Sequence, residues 1–420
     1  MGCTMDSAIQ NPKSRIQNGG HWGSPVRLLV RIFALAAAVC LAIGGPLPVW
    51  SARIVPGLSP LVVLADSVTQ RGWYTGLFWA LPPCVVLAAA VARGRWFCRW
   101  LCPAGTVYTA VSRVGLRRPF CHWRLNGYIF WAIVWAALAG APLYLFLDPL
   151  STFGRMAPWA RGIHTAAALV PGLILPVFAL LSLVQPMVWC THFCPLGYLV
   201  ERAQWRRRPL RELVDRERRQ FLAGLAVGLL PAVLLRRVGW AATAGASRGA
   251  VLPPGALAPA DFAAVCTRCY ACVKVCPTRI LRVSWPPWSQ PLAYFQPAMD
   301  ANHGACEEFC TACTRVCPTG AIRRLTPEQK RRRQIGTARV RRSACLAWAD
   351  GQHCMVCDEF CPYHAIDTIM SPTGIPQPQV DPHKCRGCGF CQNQCPAVRA
   401  GKAIIVEGIA PQREVVPAAD

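Results

Sequence analysis

Sixteen of the twenty-four cysteines in this 420-residue chain fall into four runs with one shared ending. The first is Cys266, Cys269, Cys272 and Cys276, followed by Pro277. The second, Cys306, Cys310, Cys313 and Cys317, has its first gap widened by one residue and ends on Pro318. The third, Cys345, Cys354, Cys357 and Cys361, has its first gap widened to eight and ends on Pro362. The fourth, Cys385, Cys388, Cys391 and Cys395, is regular again and ends on Pro396. Three thiolates on one tight turn can cap three corners of a cubane iron–sulfur cluster. A fourth, pinned by proline, points away and completes a second cluster. Zinc ribbons use two Cys-x2-Cys pairs instead of runs of four. Disulfide scaffolds are short secreted chains, for which close Cys-x2-Cys pairs are poor material. The pattern therefore predicts four 4Fe–4S clusters on these sixteen cysteines.

Ligand crossing means that the runs must pair. Runs one and four are both regular, and runs two and three both carry widened gaps, which favours a nested arrangement. That would group Cys266, Cys269 and Cys272 with Cys395, and Cys385, Cys388 and Cys391 with Cys276. It would also group Cys306, Cys310 and Cys313 with Cys361, and Cys345, Cys354 and Cys357 with Cys317. Sequential pairing, one with two and three with four, is the alternative. Four further cysteines form two Cys-x3-Cys-Pro motifs, Cys98 with Cys102 and Cys190 with Cys194. Together they supply four thiolates, enough for one more iron–sulfur centre. Redox-active thiols or two incomplete sites are the other readings. Cys3, Cys40, Cys84 and Cys121 belong to no pattern and read as small apolar fillers.

The elements that must position these residues come in two kinds. Apolar stretches near 27–49, 73–92, 125–147 and 166–189 are long enough to span a bilayer and predict an all-α membrane bundle of four spans. Arg27 and Arg31 precede or open the first, with Lys13 and Arg15 further upstream. The loop after the second carries Arg93, Arg95, Arg99, Arg113, Arg117, Arg118 and Arg124, and the segment after the fourth is equally rich in arginine. The loops at 50–72 and 148–164 hold only two arginines each. Such asymmetry places the N-terminus, the Arg-rich loops and the Cys-x3-Cys-Pro motifs in the cytoplasm. An internal repeat agrees: Ser59-Pro60-Leu61 is echoed by Asp148-Pro149-Leu150, and each precedes an apolar helix that runs into a Cys-x3-Cys-Pro.

Between the two parts, Arg218-Arg219-Gln220-Phe221-Leu222 opens a short apolar run, with small residues near Ala242-Thr243-Ala244. This looks like a twin-arginine export signal embedded mid-chain, or an ordinary fifth helix with basic flanks. From about residue 250 Pro, Gly and polar residues replace the long apolar runs. The expected organisation is a tail at 1–24, a membrane domain at 25–205, a signal or fifth helix with linker at 206–249, and an α+β poly-cluster domain at 250–420, outside the cytoplasm.

The chain is 53% apolar with a mean hydropathy of +0.29, which is too oily for a wholly soluble protein. Its net charge of +25 sits beside the apolar segments, so nucleic acid is not the expected partner. No Cys-x2-Cys-His occurs, and no histidine lies within the four apolar stretches, which argues against c-type and bis-His haem. Asp66, Asp148 and His164 read either as solvated loop residues or as groups that could take protons from a quinol. Lys330, Arg331, Arg332 and Arg333, with Arg339, Arg341 and Arg342, form a basic insert between runs two and three. It reads as a solvated loop or as a dock for an acidic partner or anionic lipid.

With these motifs in view, residues 25–205 resemble the NapH family of polytopic ferredoxin-type membrane proteins, on the strength of both Cys-x3-Cys-Pro motifs. Residues 215–410 resemble NapG and the related MauM, exported ferredoxins with a twin-arginine signal and four Cys runs. The chain thus looks like the two joined end to end. The resemblance implies a quinol-dehydrogenase module in a bacterial inner membrane. It would pass electrons from the quinol pool, with the Cys-x3-Cys-Pro pairs a bilayer away from the exported clusters, to a periplasmic partner such as a cytochrome or molybdenum reductase. A regulatory or maturation protein supporting assembly of a respiratory metalloenzyme is the rival. Proteins of that kind usually bear only two such runs.

Overall fold

The computed structural model describes residues 25–43, 49–70, 76–115, 125–140, 147–160, 162–163, 165–202, 210–245, 250–285, 293–397 and 401–415. The tail at 1–24, Cys3, Cys121, His164, Arg117, Arg118 and Arg124 lie outside the described residues, as does the side chain of Asp66.

The N-terminal half is helical: α1 (Pro25–Ile43), α2 (Pro60–Gln70), α3 (Gly76–Arg93), α4 (Pro103–Val114), α5 (Asn126–Leu138), α6 (Pro149–Gly154), α7 (Ala166–Gly172), α8 (Ile174–Val184), α9 (Pro195–Arg202) and α10 (Leu210–Gly245). Proline opens α4 and α6 at a first position that needs no amide partner, and the preceding Cys102 and Asp148 cap the freed amides. Asp148 accepts from the Ser151 amide at 2.8 Å and from Ser59 Oγ at 2.5 Å. Ser59 and Asp148 are equivalent positions of the internal repeat, so this buried hydrogen bond ties the two repeats together. Solvated-loop and proton-acceptor readings of Asp148 both give way to a capping role at a fully buried site.

The expected bundle of four or five membrane spans is not seen among the described residues. Among the described residues only Ala166–Val184 is long and apolar enough to cross a membrane, and a turn at Leu173 divides even that stretch into α7 and α8. Leu81–Arg93 and Asn126–Leu138 are apolar but shorter, the latter with 13 residues against the roughly 20 that a span needs. Hydropathy reports composition, and much of this composition goes into packing helix on helix around buried polar groups. Arg31, Arg53, Asp148 and Arg155 are all buried within or beneath these helices. The multi-pass placement of these loops falls with the bundle.

Residues 210–245 are one continuous helix of 36 residues. It lies against α5 at very short range, because a Cβ at Gly224 would stand 2.4 Å from Trp131 Cβ and one at Gly228 2.5 Å from the Ala132 carbonyl oxygen. Phe221 fits edge-on to Trp131 and Trp135, with ring centroids 4.9 and 5.1 Å away. Arg218 and Arg219 are exposed.

The C-terminal part is two copies of one plan, run–hairpin–run. The first copy holds α11 (Ala271–Val275), strands β1 (Leu281–Val283) and β2 (Pro297–Met299), and α12 (Ala312–Val316). Its strands pair antiparallel with Leu281 opposite Met299. After α13 (Pro327–Arg331) and β3 (Arg333–Val340), the second copy holds α14 (Val356–Glu359), β4 (Ile366–Met370), β5 (Pro376–Val380) and α15 (Phe390–Gln394). Ile366 there pairs with Val380. A last strand, β6 (Ile404–Glu414), pairs antiparallel with β3, with a bulge between Gln334 and Gly336. Gln412 on β6 reaches back to the carbonyls of Leu252 and Pro253, which ties the chain end to the first copy.

Candidate iron–sulfur sites

Each regular run is bent by two left-handed residues at matching positions. In run one they are Arg268 (φ +54°) and Tyr270 (φ +57°); in run four they are Gly387 (φ +76°) and Gly389 (φ +89°). Two such residues within one turn curl the chain and bring the first three thiols of each run within electrostatic reach of one another. Residues Cys306–Cys313 have no positive φ, so the widened gap of run two supplies slack where runs one and four bend the backbone. Arg268 is held in this conformation by donation to the Cys266 and Tyr294 carbonyls, at 2.6 and 3.2 Å.

The hairpin in each copy then folds the second run onto the first. Cys266, Cys269 and Cys272 all lie within electrostatic reach of Cys317. Cys306 and Cys313 face Cys276 in the same way, together with Cys310. In the second copy Cys345, Cys354, Cys357 and Cys395 line one cavity, and Cys361, Cys385, Cys388 and Cys391 line another. This is sequential pairing. The nested arrangement expected from matching gap lengths is not what the fold brings together, because a short antiparallel hairpin closes neighbouring runs at small entropic cost while gap length carries no long-range information.

Donor chemistry fits a thiolate-bound cluster. Burial pushes the thiols up, Cys269, Cys357 and Cys388 to about 12 each, so binding iron as thiolates would release their protons. Backbone amides aim at sulfur: Ala338 at Cys385 (3.3 Å), Ile322 at Cys317 (3.4 Å) and Ala365 at Cys361 (3.4 Å). Such hydrogen bonds are among the levers on cluster potential. They come from residues outside the runs and leave no mark in the cysteine spacing.

The four sets are also neighbours in a definite order. The amide of Cys306 donates to the Cys388 carbonyl at 2.8 Å, and Tyr363 lies within electrostatic reach of both residues. The second set therefore adjoins that of Cys385, Cys388 and Cys391 across the two copies. At the other end, fully buried Arg155 donates to the carbonyls of Thr267 and Arg268, both at 3.2 Å, inside the first run. The first set is thereby joined to the helical part.

In that helical part Cys98, Cys102, Cys190 and Cys194 share one packed core. Burial and their mutual repulsion push the thiols up, Cys190 to about 12. The repeat is visible in atomic detail: Gly105 donates its amide to Cys102 Sγ at 3.4 Å and Gly197 to Cys194 Sγ at 3.3 Å. Cys-Pro-x-Gly was the sequence signal for these two glycines, and the cysteine spacing alone passes over it. Asp148 lies within electrostatic reach of both Cys102 and Arg155, and Arg155 in turn of Cys269. The expected gap of a bilayer's width between the two cysteine regions is thus replaced by one buried capping residue and one buried arginine. Cys40 and Cys84 are exposed instead of acting as core fillers.

Comparison with known proteins follows the same division. The description "4Fe-4S dicluster domain" matches residues 352–398. "4Fe-4S binding domain" matches 75–121 and 167–211, around the two Cys-x3-Cys-Pro motifs, and a second description of that wording matches 266–280. The methylamine utilization ferredoxin-type protein MauM of Methylobacillus flagellatus is 33% identical over 149 residues, 34% of this chain and 62% of MauM. MauM of Methylorubrum extorquens is 34% identical over 153 residues, 35% of this chain and 68% of that protein. The ferredoxin-type protein NapF of Escherichia coli K12 is 34% identical over 153 residues, 36% of this chain and 82% of NapF. The chain spans 62% and 65% of the first two MauM proteins it matches. No solved structure matches it. On paired, buried cysteine runs and on identity over most of NapF, the chain belongs to the ferredoxin-type 4Fe–4S electron-transfer proteins related to MauM and NapF.

Proposed function

We propose that this chain takes electrons from a quinol at its helical part and delivers them, through four 4Fe–4S clusters, to a periplasmic redox partner such as a cytochrome or molybdenum reductase. Quinol oxidation releases two electrons and two protons, and each bound cluster would accept and give up one electron at a time. The ligand sets are Cys266, Cys269, Cys272 and Cys317; Cys306, Cys310, Cys313 and Cys276; Cys385, Cys388, Cys391 and Cys361; and Cys345, Cys354, Cys357 and Cys395. Cys98, Cys102, Cys190 and Cys194 would hold a further centre.

The observation that carries the reading is the unbroken neighbourhood from the helical cysteines to the second copy. Arg155 joins the helical part to the first set, and the Cys306–Cys388 hydrogen bond joins the two copies. A regulatory or maturation factor has no need of four sets in contact. Leu180, Leu181 and Val184 on α8 and Leu222, Leu230 and Leu234 on α10 expose apolar side chains, which suits a lipid surface where quinol is dissolved.

Anaerobically purified chain should carry about sixteen iron atoms on the C-terminal sets, four per cluster. A water-soluble quinol such as duroquinol should bleach their visible absorption. Zinc in place of iron, or iron for fewer than three clusters, would sink the cofactor assignment. Clusters that dithionite reduces and no quinol does would leave an iron–sulfur protein with a different donor.

A further inference from the structure

The basic insert between runs two and three is used internally. Helix α13 opens with a capping box in which Thr326 Oγ1 accepts from the Gln329 amide at 3.2 Å and Gln329 Oε1 accepts from the Thr326 amide at 3.0 Å. This fixes the direction in which the next residue leaves the helix. Lys330 turns inward and is only 4% exposed. Its ammonium donates to the Glu307 carbonyl, next to Cys306 in the chain, and its charge reaches the Cys306 sulfur. Its charge also reaches Cys313. Arg331 stays outside, where it pairs with Glu308 at 2.5 Å and lies 5.7 Å from the Phe309 ring centroid. Its carbonyl accepts from Arg386 Nε at 3.3 Å, next to Cys385 of run four. The insert thus closes over the loop between Cys306 and Cys310.

We propose that Lys330 is a positioning residue for the second cluster: its buried ammonium, held beside Cys306 by the Glu307 carbonyl, raises that cluster's reduction potential. The inference depends on Cys306, Cys310, Cys313 and Cys276 holding a cluster, as proposed above. Reduction adds one negative charge to the cluster, and a fixed cation away from water stabilises the reduced form more than the oxidised one. Lysine suits this role because its charge is compact and one of its donors can anchor on a carbonyl while the charge stays beside the sulfurs. Net local charge is an established lever on such potentials.

The test is an electron-paramagnetic-resonance redox titration of the full, anaerobically purified chain, with Cys276→Ser marking the signal of the second cluster. In Lys330→Met the reduced-to-oxidised ratio of that cluster at a fixed potential should fall at least tenfold, about 59 mV for a one-electron couple. The other clusters should keep their midpoints, and Lys330→Arg should restore most of the shift. Lys330→Gln keeps a hydrogen-bond donor without charge and should behave like Lys330→Met. It carries the test if Lys330→Met loses iron from the second set. Unchanged midpoints in the iron-replete variants, or an equal shift of every cluster, would overturn the proposal. Absence of a second-cluster signal in the wild-type chain would instead overturn the ligand assignment on which it rests.

Discussion

Replacing Cys276 with alanine is expected to strip the cluster from Cys306, Cys310 and Cys313 and to leave that of Cys385, Cys388 and Cys391 in place. Iron should fall by about four atoms per chain, one cubane's worth. Cys276 ends run one, yet its sulfur faces Cys306 and Cys313 across the β1–β2 hairpin. Cys395→Ala is the matching change in the second copy, and should remove the cluster of Cys345, Cys354 and Cys357, with which Cys395 shares a cavity. Iron analysis with the resonance spectrum of each remaining cluster checks both. Loss of the Cys385, Cys388 and Cys391 signal in Cys276→Ala would reinstate nested pairing. The milder Cys276→Ser should retain the cluster with an altered spectrum, since a serine oxygen can stand in for the thiolate.

Gly387→Val should be nearly as damaging through the backbone alone. Gly387 has φ +76°, and a Cβ there would stand 2.6 Å from the N, Cα and C atoms of Gly336 on β3. A left-handed conformation costs a residue with a Cβ about 1–2 kcal/mol. Forcing extra atoms into a packed contact adds about 1–3 kcal/mol. The collision is with main chain, which cannot rotate aside. β3 must therefore move off run four, breaking the bond from the Ala338 amide to Cys385 Sγ. The expected result is early loss, on warming, of the signal from the set of Cys385, Cys388 and Cys391, with the first copy intact. Gly374→Ala is the control: its φ is +77°, but nothing lies within 4 Å of the added Cβ. A Gly387→Val protein that bleaches no earlier than Gly374→Ala would show that the β3 contact does not hold the run.

The sequence by itself determined that the chain carries 4Fe–4S-binding cysteine runs, because ligand spacing within a run is a property of one turn of chain. Four runs ending in Cys-Pro are legible without knowing where any run lies. It also determined the internal repeat, which the structure renders as paired caps at Cys102 and Cys194 and as the Ser59–Asp148 bond. Pairing of the runs was decided only by the tertiary structure. Cys317 and Cys395 look alike as letters, and the β1–β2 and β4–β5 hairpins choose their partners. Span number was decided there too: an apolar stretch such as Asn126–Leu138 serves equally to face lipid or to pack on another helix, and here it packs on α10 around Gly224 and Gly228. The same holds for Asp148, Arg155 and Lys330. Their sequence neighbourhoods suggest solvent, and they are buried because partners from distant segments satisfy their charge and hydrogen bonds, which no local pattern records.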